Sequence, residues 1–111
     1  MAREAFQTLT EPMYYILLAL TEECCGVDIM NKAEKMSRGR IRVGPGTLYA
    51  MLARFEKNQI IRLTAEDGRR KSYVITDTGI EMLTKEYARL RTMVEDGEPF
   101  MNAPSKEKEP E

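Results

Sequence analysis

The stretch Gly44-Pro45-Gly46-Thr47-Leu48-Tyr49-Ala50-Met51-Leu52-Ala53-Arg54-Phe55 is followed, five residues on, by Ile61-Arg62-Leu63-Thr64-Ala65-Glu66-Asp67-Gly68-Arg69-Arg70-Lys71-Ser72-Tyr73-Val74-Ile75. In the first part Leu48, Leu52 and Phe55 recur at i, i+4, i+7, the spacing of one helical face. Gly44 suits the N-cap, and Pro45 suits the first helical position because its missing N–H had no helical partner anyway. In the second part the period drops to two. Ile61, Leu63 and Ala65 alternate with Arg62 and Thr64, and Tyr73 and Ile75 alternate with Ser72 and Val74. Asp67-Gly68 between these runs is a hairpin signal, since glycine reaches positive φ without strain. A helix followed by a basic-tipped hairpin is the decisive reading.

Upstream, Pro12 can open a helix on which Met13, Ile16, Leu17 and Leu20 share a face. A second helix is predicted from about Val27 to Ser37, with Ile29, Met30, Ala33 and Met36 on one side and Gly39 as its stop. In the loop that follows, Ile41 and Val43 alternate with arginines in the manner of a brief strand. Downstream, a last helix is predicted from Asp77 to Val94, capped by Thr76 or Thr78, with the stripe Ile80, Leu83, Tyr87, Leu90, Val94. The fold class is therefore mainly α with a small β-wing: a winged helix-turn-helix domain over 11–76 plus a C-terminal dimerisation helix over 77–95. Residues 1–10 read as an N-terminal arm, and residues 96–111, rich in Pro and Glu, read as a disordered acidic tail.

Composition narrows the function classes. With 111 residues, 42% of them hydrophobic, the chain is expected to form one small domain with a core. It contains no histidine, so the commonest general base and the commonest metal ligand are missing. No cysteine, serine or lysine is paired with an evident base; the reading is not an enzyme, with no metal and no cofactor. The apolar run Met13–Leu20 is too short to span a bilayer and lacks the flanks of a secretory signal, so a cytoplasmic chain without membrane contact is expected. Adjacent Cys24 and Cys25 close no useful loop and read as one buried and one exposed thiol, a redox role being the minor alternative.

Charge is distributed unevenly. From Arg38 to Lys71, nine basic residues against three acidic ones give +6, while the remaining eight basic and fifteen acidic residues give −7. One basic face on an otherwise acidic chain points to a polyanion partner. The third helix can enter a major groove with its N-terminal residues over base edges, while the wing reaches the backbone or minor groove. The candidate DNA contacts are Arg42, Gly44, Pro45, Thr47, Tyr49, Arg54, Arg69, Arg70 and Lys71. Thr47 and Tyr49 are assigned to base edges, and the wing cations to phosphate or minor groove. Arg38, Arg40 and Arg42 read equally as backbone contacts or as plain surface, and Tyr73 reads as packing under the wing. A competing reading is a winged-helix protein-interaction module that binds no DNA; the +6 segment argues against it.

The blocks Val43-Gly44-Pro45-Gly46-Thr47-Leu48-Tyr49, Phe55-Glu56-Lys57, Asp67-Gly68-Arg69-Arg70-Lys71-Ser72-Tyr73 and Ile75-Thr76-Asp77-Thr78-Gly79 resemble those of the PadR-type transcriptional regulators. The resemblance covers roughly residues 12–94, and the short chain ending in one long helix resembles the small-sized branch. Gly44 departs from the serine many members carry, which removes a side-chain cap, and Ala50 departs from a proline. The resemblance implies a homodimeric repressor on double-stranded operator DNA with inverted-repeat symmetry, responsive to a small aromatic or cationic effector. The dimer interface is then expected at Ile80, Leu83, Tyr87, Leu90 and Val94, helped by the first helix. The effector is expected in the space lined by Tyr14, Leu17, Leu18, Tyr87 and Arg91.

Overall fold

The structure, a computed structural model, describes residues 8–102. Its elements in chain order are α1 (Glu11–Ala19), β1 (Cys24–Cys25), α2 (Gly26–Met36), α3 (Pro45–Lys57), β2 (Ile61–Asp67), β3 (Arg70–Ile75) and α4 (Asp77–Met101). Helix α1 begins where Thr10 accepts a hydrogen bond from the Met13 amide, with Pro12 in the first turn. Residues 1–7 of the expected arm lie outside the described residues.

The core is a single cluster under α3. Ile16, Leu17 and Leu20 from α1 and its cap, Ile29 from α2, Leu48, Leu52 and Phe55 from α3, and Ile60 and Ile61 at the start of the wing are all essentially inaccessible to solvent. All but Ile60 lie on a stripe that spacing alone predicts, and burying such side chains contributes about 1.5–3 kcal/mol apiece. The wing is fastened to this core through backbone: the Ile75 amide donates to the Leu20 carbonyl at 2.8 Å, and the Thr76 amide to Ile60 at 2.9 Å. Thr76, not Thr78, caps α4. Its hydroxyl accepts from the Gly79 amide at 3.1 Å while facing the carbonyls of Gln59 and Ile60.

The sheet has three strands in the order β1-β3-β2, all antiparallel, rather than the two of the expected wing. Cys24 pairs with Tyr73 and Cys25 with Ser72, while Ile41 and Val43 form no strand. A two-residue strand has no period to detect in sequence; it exists because β3 offers a free edge there. Both cysteines are buried, which corrects the expectation of one exposed thiol. Successive strand residues point to opposite faces. Cys24 accordingly joins the hydrophobic core, and burial pushes its thiol pKa up. Between Leu63 and Ala65 the ladder slips by a bulge, and the Thr64 hydroxyl donates to Glu23 at 2.7 Å.

Helix α4 is longer than its hydrophobic stripe. It continues through Gly97 and Pro99 to Met101, so the disordered tail does not begin at residue 96; residues 103–111 lie outside the described residues. Extending a formed helix costs far less than nucleating one, and the helix runs only two residues beyond Pro99, which takes one N–H out of the ladder and crowds the carbonyl four residues back. Twenty-five residues make α4 roughly 37 Å long. No helix among the described residues is long and apolar enough to cross a membrane.

Candidate nucleic-acid interface

Helix α3 begins at Gly44, extended at φ −78° and ψ 166°, with no side chain capping it. The Leu48 amide closes the first turn on the Gly44 carbonyl at 2.9 Å. Because Leu48, Leu52 and Phe55 are drawn into the core, Thr47, Tyr49 and Arg54 are left on the exposed side of the helix. The hairpin tip is the two-residue turn Gly68-Arg69, with Gly68 at φ 64° in the position where primed hairpin turns need a glycine. The turn leaves Arg69, Arg70 and Lys71 exposed in succession.

The fold brings Tyr49 and these three cations to one place. Together with Cys25, Gly26, Val27 and Asp28 at the start of α2 they line an open cavity of about 430 Å³. Tyr49 is 44% exposed, and its ring rests on Gly26. The Cys25 thiol donates to the Asp28 carboxylate at 3.4 Å. Arg70 lines the same cavity as Cys25 and Asp28, and these two neighbours raise its guanidinium pKa above the ordinary value. The opening of α2 is thus part of this face. Nothing in the sequence marked Cys25, Val27 or Asp28 for it, because the register of β1 against β3 is what carries them there.

The other candidate contacts lie apart from this cavity. Arg42 is exposed and ion-paired with Glu34 at 3.4 Å. Gly44 and Pro45 are exposed at the start of α3, and Arg54 lies on its last turn. Tyr73 is buried beneath the wing, as its place on the strand predicts, and burial raises its phenol pKa.

A second cavity, of about 340 Å³, lies between α1 and α4, lined by Leu9, Glu11, Tyr14, Tyr15, Glu86, Arg89 and Leu90. Glu86 is buried, and two hydrogen bonds from Arg89 at 2.6 and 3.0 Å depress its pKa. Of the residues expected to line an effector site, Tyr14 is here. Leu17 is not: it is fully inside the protomer's own core, because the apolar face of α1 is wider than the part turned to α4. Leu18 lines a separate groove beside Met36, and Arg91 is exposed and paired with Glu95 at 3.2 Å.

Among the residues expected at a dimer interface, Leu83 is likewise buried within its own protomer, 7% exposed, so it belongs to the core. The same α4 carries Ile80, Tyr87 and Val94 at 42%, 54% and 64% exposure, with Leu90 half-buried between them. The stripe of α4 therefore divides its work: one edge packs under α1 and the wing, and the other stands open.

Comparison with known proteins agrees with this architecture. The family model described as the transcriptional regulator PadR-like family matches residues 16–85. The fold is shared with a PadR-like transcriptional regulator from Bacillus cereus, at 23% identity over 85% of this chain and 92% of that one, with a TM-score of 0.67. A PadR-like transcription factor from Bacteroides fragilis matches at 26% identity, 81% of this chain, 87% of the other and a TM-score of 0.63. A transcriptional regulator from Clostridium thermocellum matches at 21% identity, 81% and 88% coverage and a TM-score of 0.65. A 37.1 kDa protein from a Streptomyces fradiae transposon is 44% identical over 45 residues, which is 40% of this chain and 13% of that protein. The match therefore spans only a small part of that relative's length.

Proposed function

The chain belongs to the PadR-like family of transcriptional regulators, and on that premise we propose that it is a homodimeric, sequence-specific DNA-binding repressor that reads operator DNA with α3 and grips its backbone with the wing. The observation that carries this reading is the single face shared by Tyr49, Arg69, Arg70, Lys71 and the start of α2. Thr47 and Tyr49 stand where base edges would be read, and the three wing cations stand where phosphates would pass. The exposed edge of α4, with Ile80, Tyr87, Leu90 and Val94, supports a two-fold dimer. Such a dimer sets two α3 helices about one DNA turn, or ~34 Å, apart and so asks for an inverted repeat.

The cavity between α1 and α4 supports the effector part of the reading. Tyr14 offers an aromatic face beside Leu9 and Leu90, a lining suited to a small aromatic compound, while Glu11 and Tyr15 at its rim are already engaged by Arg40. Such a compound relieves repression only if it binds better to a dimer whose α3 helices are wrongly spaced.

The test is a salt titration of binding to a duplex that the protein itself selects from genomic fragments, beside a random duplex of equal length. Arg70→Ala should weaken both duplexes and reduce the slope of log affinity against log salt by about 1. Tyr49→Ala should weaken the selected duplex alone, by about 1–3 kcal/mol. If both substitutions affect both duplexes equally, the division between reading helix and gripping wing is wrong.

A further inference from the structure

The chain between α2 and α3 is shaped before it reaches the recognition helix. Arg38 and Gly39 turn it through left-handed φ values of 55° and 84°. Ser37 then accepts from the Ile41 amide at 2.8 Å, and Ile41 is buried. Three residues later Gly44 caps α3. Arg40 sits in the middle of this turn. Its guanidinium reaches back to α1, where it is ion-paired and hydrogen-bonded to Glu11, donates to the Tyr15 hydroxyl at 2.9 Å, and lies 5.8 Å from the centre of the Tyr15 ring. Three interactions of different kinds thus hold one side chain to one helix.

We propose that Arg40 is a positioning residue for the recognition helix: it clamps the α2–α3 loop to α1 through Glu11 and Tyr15, and it is not one of the cations that meet phosphate. In the sequence Arg40 counts toward the basic segment, but in the fold Glu11 cancels its charge. To neutralise a phosphate it would have to abandon a carboxylate, a hydroxyl and a ring together. Arginine fits this geometry: Nη1 serves the Glu11 carboxylate and Nη2 the Tyr15 hydroxyl, two positions that the single nitrogen of a shorter lysine would have to serve at once. The loop so held ends on the cap of α3, so the clamp sets where Thr47 and Tyr49 stand relative to the body of the domain.

The inference rests on the DNA-binding reading, and the experiment separates the two. Full-length protein is titrated with salt on the duplex selected by the wild type and on a random duplex, with melting temperatures measured in parallel. Arg40→Gln should weaken the selected duplex about threefold or more, leaving the random duplex and the salt slope unchanged. Arg40→Lys should fail to restore the loss. Glu11→Gln makes the chain one charge more positive, yet it should weaken the selected duplex too. The clamp is overturned if Arg40→Gln lowers the salt slope by about 1, if lysine restores binding, or if Glu11→Gln tightens it. It is also overturned if affinity for both duplexes falls along with the melting temperature. A wild-type protein that binds neither duplex sinks the DNA-binding reading itself, before any substitution is made.

Discussion

The phenol of Tyr49 occupies the space that a Cβ on Gly26 would need: such an atom would lie 2.9 Å from Cζ and 3.2 Å from Cε1 of the ring. The outward side chain of α3 is therefore seated on the first residue of α2, and only glycine leaves the seat open. The ring is half-exposed and can swing, so Gly26→Ala should change the melting temperature little. It should nonetheless move Tyr49 and weaken the selected duplex by about 1 kcal/mol while sparing random DNA. Duplex titration and thermal melting of the one variant check both halves of this expectation.

Two glycines of α4 should respond in opposite directions. A Cβ on Gly79 would collide with the backbone carbonyl oxygen of Ile60 and lie 2.6 Å from Cγ1 of Ile75, and backbone cannot step aside. Gly79→Ala should cost about 2 kcal/mol or more. Gly97 has no such neighbours within 4 Å, so Gly97→Ala should stabilise by about 0.5–1 kcal/mol through helix propensity. Urea unfolding of the two variants measures the contrast, and a Gly97→Ala variant no more stable than the wild type would mean that the distal turns of α4 are not helical in solution.

Val94 is 64% exposed in the protomer, so a charge there does not threaten folding. Val94→Glu combined with Tyr87→Glu should give a folded monomer by sedimentation with an unchanged helical circular-dichroism spectrum. Leu83→Glu, at a buried position, should instead unfold the chain. A double variant that still sediments as a dimer would place the interface elsewhere.

Glu86 has its pKa lowered by the hydrogen bonds from Arg89. A carboxyl with a depressed folded-state pKa contributes stability above its unfolded value of about 4.3, and loses it as pH falls through the folded value. The wild type should therefore lose more stability than Glu86→Gln on acidification from about pH 5 downward. Parallel denaturation curves of the two proteins across that range would show it; curves that remain parallel would mean the pair contributes nothing to folding.

Where a stripe of side chains is long enough to have a period, the sequence was sufficient. Leu48, Leu52 and Phe55 announced the inward face of α3, and with it the exposure of Thr47 and Tyr49, because a helix can turn only one side to the core. The Asp67-Gly68 pair announced the wing tip and its three cations for a similarly local reason, although the two turn residues are Gly68 and Arg69. The expected start of a disordered tail at residue 96 does not hold, because α4 continues past Gly97 and Pro99 to Met101.

Length, charge segregation, the order of helices and wing, and the family were thus determined by the sequence alone, since each depends on local spacing or on simple counting. The tertiary structure alone decided that Cys24 and Cys25 join the sheet, that Leu17 and Leu83 belong to the protomer's own core, and that Arg40 is held by Glu11 and Tyr15. These facts share one cause. Each depends on a pairing or contact between residues at least twenty-five positions apart, or on which edge of a broad apolar stripe meets its own core. Periodicity reports that a face is apolar, but what covers it is settled only when the distant elements pack.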